Sequence, residues 1–361
     1  MVKNNTEKCD KRKPKNVLVA RFSALGDVAM TIPVIYSACR CNPDIRFVFI
    51  TKPLTQSLFI NAPENLVVLG IDFKTKYKGF GGLIKLFKDL RKEYHIDAYA
   101  DLHNVLRSQI IGGLCRIYGI PSKSLNKGKA DKHALTRKNN KKMQQLITSR
   151  ARYREVFMSM GLPLEECFIS LFGTEKGNTE NFADITSPKQ DGEQWIGIAP
   201  FAMHKGKIYP INLMEQVVEE VSKWDNTKVF LFGGGEEERK VFASWVEKYP
   251  SVVSLAEKRH GFPVELALMS HLDVMVSMDS GNMHLASVVK TPVVSVWGAT
   301  HPYCGFSGWK QPEENTIQLP MECRPCSVFG NKPCYRGDYQ CLSGIPPKMI
   351  VDKIVNVLNN K

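Results

Sequence analysis

The stretch "VLVARFSALGDVAMTIPVIYSACR", residues 17–40, decides the fold. Val17 to Phe22 is an apolar, strand-like run that empties into a small-residue turn. Gly26-Asp27 then opens a helix of apolar period over 28–41. A strand, turn and helix in this order begin a nucleotide-binding α/β domain. The dinucleotide fingerprint, however, has three glycines, which leave bare amides at the helix N-terminus for a pyrophosphate. This turn has one glycine, and Asp27 at its exit carries a charge that repels phosphate. Asp27 therefore serves another ligand, or it caps its own helix.

Outward from that unit the alternation continues. Strand-like runs at 45–51, 66–70 and 98–102 are separated by helical patterns at 82–94 and 104–118, which predicts a parallel sheet covered on both faces. A helical stretch follows near 151–160, and the polar segment 173–194 reads as a linker. The rhythm restarts at "WIGIAP" (195–200), with strands at 228–233, 252–255, 273–277 and 292–298. Helices fit 211–224, 236–248, 263–271 and 281–289, and "IPPKMIVDKIVNVLNN" closes the chain as a helix with proline at its start. The expected architecture is α/β, two Rossmann-like doubly wound domains facing across a cleft. A basic tail (1–15) leads into a first domain (16–172), a linker (173–194), a second domain (195–345) and a terminal helix (346–361). Ligands of such sheets bind outside the carboxyl ends of the strands, so one cleft receives two half-sites.

At 361 residues, 43% hydrophobic and 24% charged, the composition is that of a soluble globular protein. No apolar run approaches the roughly 18 residues of a membrane span. The basic N-terminus lacks a signal-peptide core, so an intracellular protein is expected. The net charge of +13 is uneven: residues 121–154 hold 11 Lys or Arg against one acid, Asp131. That run suits a polyanion, either an anionic membrane surface or a phosphorylated glycolipid, or else it is a solvated loop. Nucleic acid fits poorly, because few aromatics interleave the charges.

Chemistry concentrates in "VSMDSGNMHLASVVKTPVVSVWG" (276–298). A strand ends at Ser277, Asp279-Ser280-Gly281 turns, and a helix begins with Asn282 and with His284 in its first turn. Amides at 280–282 there favour an anion. Asp279 contacts a ligand or caps the helix; His284 faces the cleft or packs in the core. In "PFAMHKGKIYP" (200–210), Lys205 and Lys207 follow a strand's carboxyl end, where a lysine neutralises phosphate or simply meets solvent. The turn "FGGGEEER" (232–239) carries three glutamates that oppose phosphate, and reads as a sharp turn. No Asp-x-Asp pair occurs, so leaving-group charge would fall to lysines and amides rather than to a divalent ion. In "CRPCSVFGNKPCYRGDYQC" (323–341), Cys323-x₂-Cys326 is the common half of a tetrahedral zinc site. Cys334-x₆-Cys341 is a looser second half, which leaves structural zinc, reduced thiols and disulfides as readings.

These motifs resemble the heptosyltransferases, glycosyltransferase family 9. The opening strand, Arg21, the small turn and Leu25-Gly26-Asp27 are similar to the family's first signature, and "MDSGNMHLASVVKTPVVSVWGATHP" to its second. "KGKIYP" resembles the Lys-x-Trp-Pro element with Tyr209 for Trp. Asn282 stands where proline is frequent, and His301 where the family has Asp. The resemblance spans roughly residues 16–345. It implies a glycosyltransferase-B fold, acceptor in the first domain, sugar nucleotide in the second, and no cofactor for catalysis. It implies an inverting transfer of heptose from ADP-heptose to lipopolysaccharide core at the inner face of the cytoplasmic membrane, with Asp27 as general base. Lys205, Lys207, Asp279, Ser280, Gly281, Asn282, His284 and Thr300 are then expected at the donor. Arg21, Ser23, Gly26, Lys138, Lys141 and Lys142 are expected at a phosphorylated lipid A–core acceptor. A monomer is expected. Another nucleotide sugar, an epimerase, or an idle polyanion-binding scaffold are the competing readings.

Overall fold

The computed structural model describes residues 13–360, so most of the basic tail lies outside the described residues. The first domain is a five-stranded parallel sheet, ordered β3-β2-β1-β4-β5. Its strands are β1 (Asn16–Ala20), β2 (Arg46–Thr51), β3 (Leu66–Gly70), β4 (Ala98–Asp101) and β5 (Ser122–Ser124). Residues 17–20 are fully buried, as a strand covered on both faces requires. Their period of two splits them between two cores. Val17 and Val19 join Phe47 and Phe49 on one face, while Leu18 and Ala20 join Val48 and Ile50 on the other.

The second sheet runs β11-β10-β9-β6-β7-β8, again all parallel. It comprises β6 (Gln194–Ala199), β7 (Thr227–Leu231), β8 (Val252–Ser254), β9 (Val274–Met278), β10 (Val293–Val296) and β11 (Thr316–Ile317). Strand order reverses between β1 and β4 in one sheet and between β6 and β9 in the other, and ligands bind at such points. The terminal helix, Pro347–Asn359, buries Ile350, Ile354 and Val357 against this domain.

One expectation changes, and two segments gain detail. The single helix at 28–41 is two, Leu25–Ala29 and Ile32–Cys41. Pro33 has no N–H for the Ala29 carbonyl, so the helix restarts there. The segment 173–194, the expected linker, is packed down at points along its length: Phe182 is buried edge-on against Trp195 and His271, and the Ser270 hydroxyl accepts from the Gly177 amide at 2.8 Å. The basic run, largely exposed, has structure of its own over part of its length. It forms edge strand β5 and helix Lys129–Thr136, then crosses to the second domain. There the Leu146 amide donates to the Tyr303 carbonyl, the Ser149 amide to Gly305, and Arg150 Nη1 to Ser307.

Candidate active site

The loop leaving β1 begins with Arg21, which is buried. Its Nη1 donates to the Leu102 carbonyl at 2.9 Å, and its Nη2 lies 2.7 Å from Asp27 Oδ2. The same carboxylate oxygen accepts from the Ala24 amide at 3.2 Å, closing the first turn of the helix. Asp27 therefore does cap its helix, from the third helical position, and still keeps a quarter of its side chain exposed. Beside it His103, after β4, accepts from the Phe22 amide at Nδ1 (3.3 Å). Burial and the Arg21 charge push the His103 ring down to about 3, so it is a neutral acceptor.

Across the cleft, the turn after β9 presents Ser280 and Gly281 at the start of helix Gly281–Val288. Asp279 neither caps that helix nor faces a ligand alone. Its Oδ2 accepts from Thr300 Oγ1 at 2.8 Å and pairs with Lys207 Nζ at 3.0 Å. Behind Thr300 stands Arg324, buried, with Nη2 donating to the Thr300 carbonyl (3.0 Å) and Nε to Gly298 (2.5 Å). Lys207 is thus aimed by a chain of contacts that starts in the cysteine-rich loop. His284 is buried with Nδ1 unpartnered, and burial pushes its ring down to about 3.

Two cavities meet at Asp27. One, of about 300 Å³, lies between the domains and is lined by Gly26, Asp27, Lys207, Asp279, Ser280 and His284, among others. The second, of about 240 Å³, lies on the first-domain side, against Arg21, Ser23, His103, Lys127, Lys132 and Arg152. Ala24, Asp27, Phe306 and Phe329 wall both. The second cavity is strongly cationic. Arg152 is buried with Nη2 unbonded, 4.0 Å from Asp131. Burial, then the neighbouring Arg152, lowers Lys132; burial, then Arg21, lowers Lys127.

Several expected residues lie elsewhere. Lys205 is exposed with its ammonium over the Tyr339 ring, Asn282 is off the cavity wall, and Thr300 acts through Asp279. Lys141 is no free cation: its Nζ donates to the Cys323 and Pro325 carbonyls, joining the basic segment to the cysteine-rich loop. Lys138 is exposed near the Tyr335 ring, and Lys142 is exposed. His301 bonds its own turn through Nδ1, accepting from the Tyr303 amide. The glutamate turn is as read, with Glu238 accepting from the Gly234 and Gly235 amides. Among the described residues no three His, Cys, Asp or Glu side chains gather to hold a metal. The sequence reading missed Lys127, Lys132, Arg152 and Arg324. The first three lie in the counted basic run, but composition does not say which cations turn inward.

Two doubly wound parallel-sheet domains, each with a strand-order reversal, make up the GT-B fold. Residues 83–333, more than half of the chain, match glycosyltransferase family 9 (heptosyltransferase), and the chain belongs to that family. It is similar to lipooligosaccharide heptosyltransferase 2 of Campylobacter jejuni, 20% identical over 93% of this chain and 96% of that protein. Among solved structures it resembles a family 9 glycosyl transferase from Veillonella parvula (TM-score 0.73, 16% identity, covering 96% of this chain and 98% of that one). It also resembles the ADP-heptose lipopolysaccharide heptosyltransferase II of E. coli (TM-score 0.67, 17% identity, 96% and 99% covered).

Proposed function

We propose that this chain moves a heptose from ADP-heptose to a sugar of the lipopolysaccharide inner core, inverting the anomeric carbon in one displacement. The observation that carries this reading is the position of Asp27, whose carboxylate walls both cavities at once. The donor lies between the domains, its diphosphate against Lys207 and the amides of Ser280 and Gly281. The acceptor lies in the cationic cavity, where Lys127, Lys132 and Arg152 receive its anionic groups. Asp27 takes the proton of the attacking hydroxyl while Lys207 stabilises the departing diphosphate. Arg21, 2.7 Å from Asp27 Oδ2, holds the carboxylate in place, so most of its catalytic gain comes from position.

The relatives' names supply the sugar and the acceptor class; the chain's own lysines and amides supply the leaving-group stabilisation, with no call on a divalent ion. The test is a panel of nucleotide sugars offered with and without a deep-rough lipopolysaccharide acceptor. Consumption of ADP-heptose that requires the acceptor is expected. Lys132→Gln should raise acceptor KM about tenfold while leaving ADP affinity unchanged. Turnover of a nucleotide sugar without acceptor would replace the transferase reading with an epimerase.

A further inference from the structure

Among the large apolar side chains that the first domain exposes, three follow strands of its sheet at the carboxyl side: Leu54 (69%), Phe80 (64%) and Leu106 (74%). Each follows a different strand. Leu54 comes after β2, Phe80 after β3 and Leu106 after β4, so all three stand at the carboxyl ends that flank β1. Single exposed hydrophobes are ordinary; three around one rim are not. The helix Gly79–Tyr94 shows how the exposure arises. Leu83, Phe87 and Leu90 form its buried stripe, and Phe80 continues that stripe one turn beyond the sheet's edge.

Cations interleave these side chains. Lys52 precedes Leu54, Arg107 follows Leu106, and Lys74, Lys76 and Lys78 lead to Phe80, all exposed. Of the acids near this rim, Asp72 is turned into its own loop, accepting from the Lys74 and Thr75 amides, and Asp89, which with Glu93 acts on Lys76, accepts from the Tyr77 hydroxyl. The segments are in contact: a Cβ on Gly70 would sit 2.8 Å from Pro53 Cα, and the Arg107 guanidinium lies over the Phe73 ring at 5.2 Å. Phe73 in turn meets Phe22 at 4.8 Å between centroids, next to the turn that carries Asp27.

We infer that this rim docks on an anionic lipid bilayer, with Leu54, Phe80 and Leu106 entering the headgroup boundary and the five cations resting on its surface. Apolar side chains set among lysines suit a bilayer, which offers both a negative surface and an acyl layer. The rim runs up to the mouth of the Asp27 cavity, so a lipid-borne acceptor would reach the base without leaving the membrane. That purpose rests on the transferase reading; the docking itself does not.

The test is co-sedimentation of the full chain with vesicles of phosphatidylglycerol and phosphatidylcholine. Each basic residue near such a surface is worth about fivefold in partitioning. The triple variant Lys74→Glu, Lys76→Glu, Lys78→Glu should lose binding on the order of 100-fold. Leu54→Ser, Phe80→Ser, Leu106→Ser should bind at low salt and release at high salt, where wild type stays bound. Both variants should keep wild-type turnover on a detergent-dispersed acceptor, which separates docking from catalysis. Wild type that ignores anionic vesicles overturns the proposal. So does an apolar variant that binds vesicles as wild type does while the charge variant loses heparin too, since the rim would then be a plain polyanion site.

Discussion

Gly26 of the first domain and His284 of the second touch across the cleft: a Cβ on Gly26 would lie 2.6 Å from His284 Cδ2 and 3.5 Å from Gly281 Cα. The two helix starts that carry the site therefore meet with no room for a methyl group. Gly26→Ala favours the helix itself but holds the domains apart. Since a displacement of about 1 Å costs about 100-fold, turnover should fall at least tenfold with little change in Tm. Wild-type turnover in this variant would show that the contact is not needed for the reaction.

Asp27→Asn keeps an oxygen for the Ala24 amide and for Arg21, so the fold should survive. The amide cannot accept a proton. Turnover should fall on the order of 10²–10⁴-fold with ADP affinity retained, which calorimetry and steady-state kinetics read separately.

Lys207 acts at the end of the chain Arg324, Thr300, Asp279. Thr300→Val is nearly isosteric and removes one donor from Asp279. It should weaken ADP binding several-fold, and Lys207→Met more. Because Thr300 acts through Lys207, the double variant should be no worse than Lys207→Met alone. Additive losses would place Thr300's effect elsewhere.

The fold was legible because its information is local. Strands buried on both faces must be apolar throughout, and β1, β2, β6 and β9 were read to within a residue or two at each end. The site was half legible. Asp27, Lys207 and the turn 279–281 sit where strand ends must empty into a cleft. The wall of the cationic cavity was not, because Lys127, Lys132 and Arg152 reach it through a seam between domains that no short-range pattern encodes. Lys141 shows the same limit: only the fold brings it against Cys323 and Pro325.

Stability should fall in acid. Burial chiefly pushes His103 and His284 down to about 3 and His301 to about 4, against about 6.5 in the unfolded chain. The unfolded state therefore binds more protons, and the contribution of these rings is whole above about pH 6.5 and drains away as pH falls toward 4. Each ring adds a slope of up to about 1.4 kcal/mol per pH unit. Glu265, raised to about 7 by burial, works in the opposite direction between about pH 4.5 and 7, and one group does not offset three. Tm should drop between pH 7 and 5, and His284→Gln should flatten that dependence whatever it does to Tm itself. An unchanged slope would mean that the ring is protonated in the fold.

The cysteine-rich loop is held by Arg324 and Lys141, and its thiols have separate surroundings. Cys326 is buried and donates to the Cys323 carbonyl at 2.9 Å; burial, then the nearby Cys323, raises it to about 12. Burial also raises Cys341, to about 11. Cys334 differs. Partial burial would raise it, but the amides of Tyr339, Arg336, Gly337 and Asp338 outweigh that and lower it. The thiolate is the reactive form, so within this loop Cys334 should be alkylated first by iodoacetamide at pH 7, with Cys326 and Cys341 modified only on unfolding. Four thiolates on one zinc ion would behave otherwise: all would be protected together and released together by a chelator. Peptide mapping after brief alkylation, with metal content measured on the same sample, distinguishes the two. Fast labelling at Cys334 with less than about a tenth of an equivalent of zinc is the expected result; uniform protection with stoichiometric metal would replace this picture with a metal-closed loop.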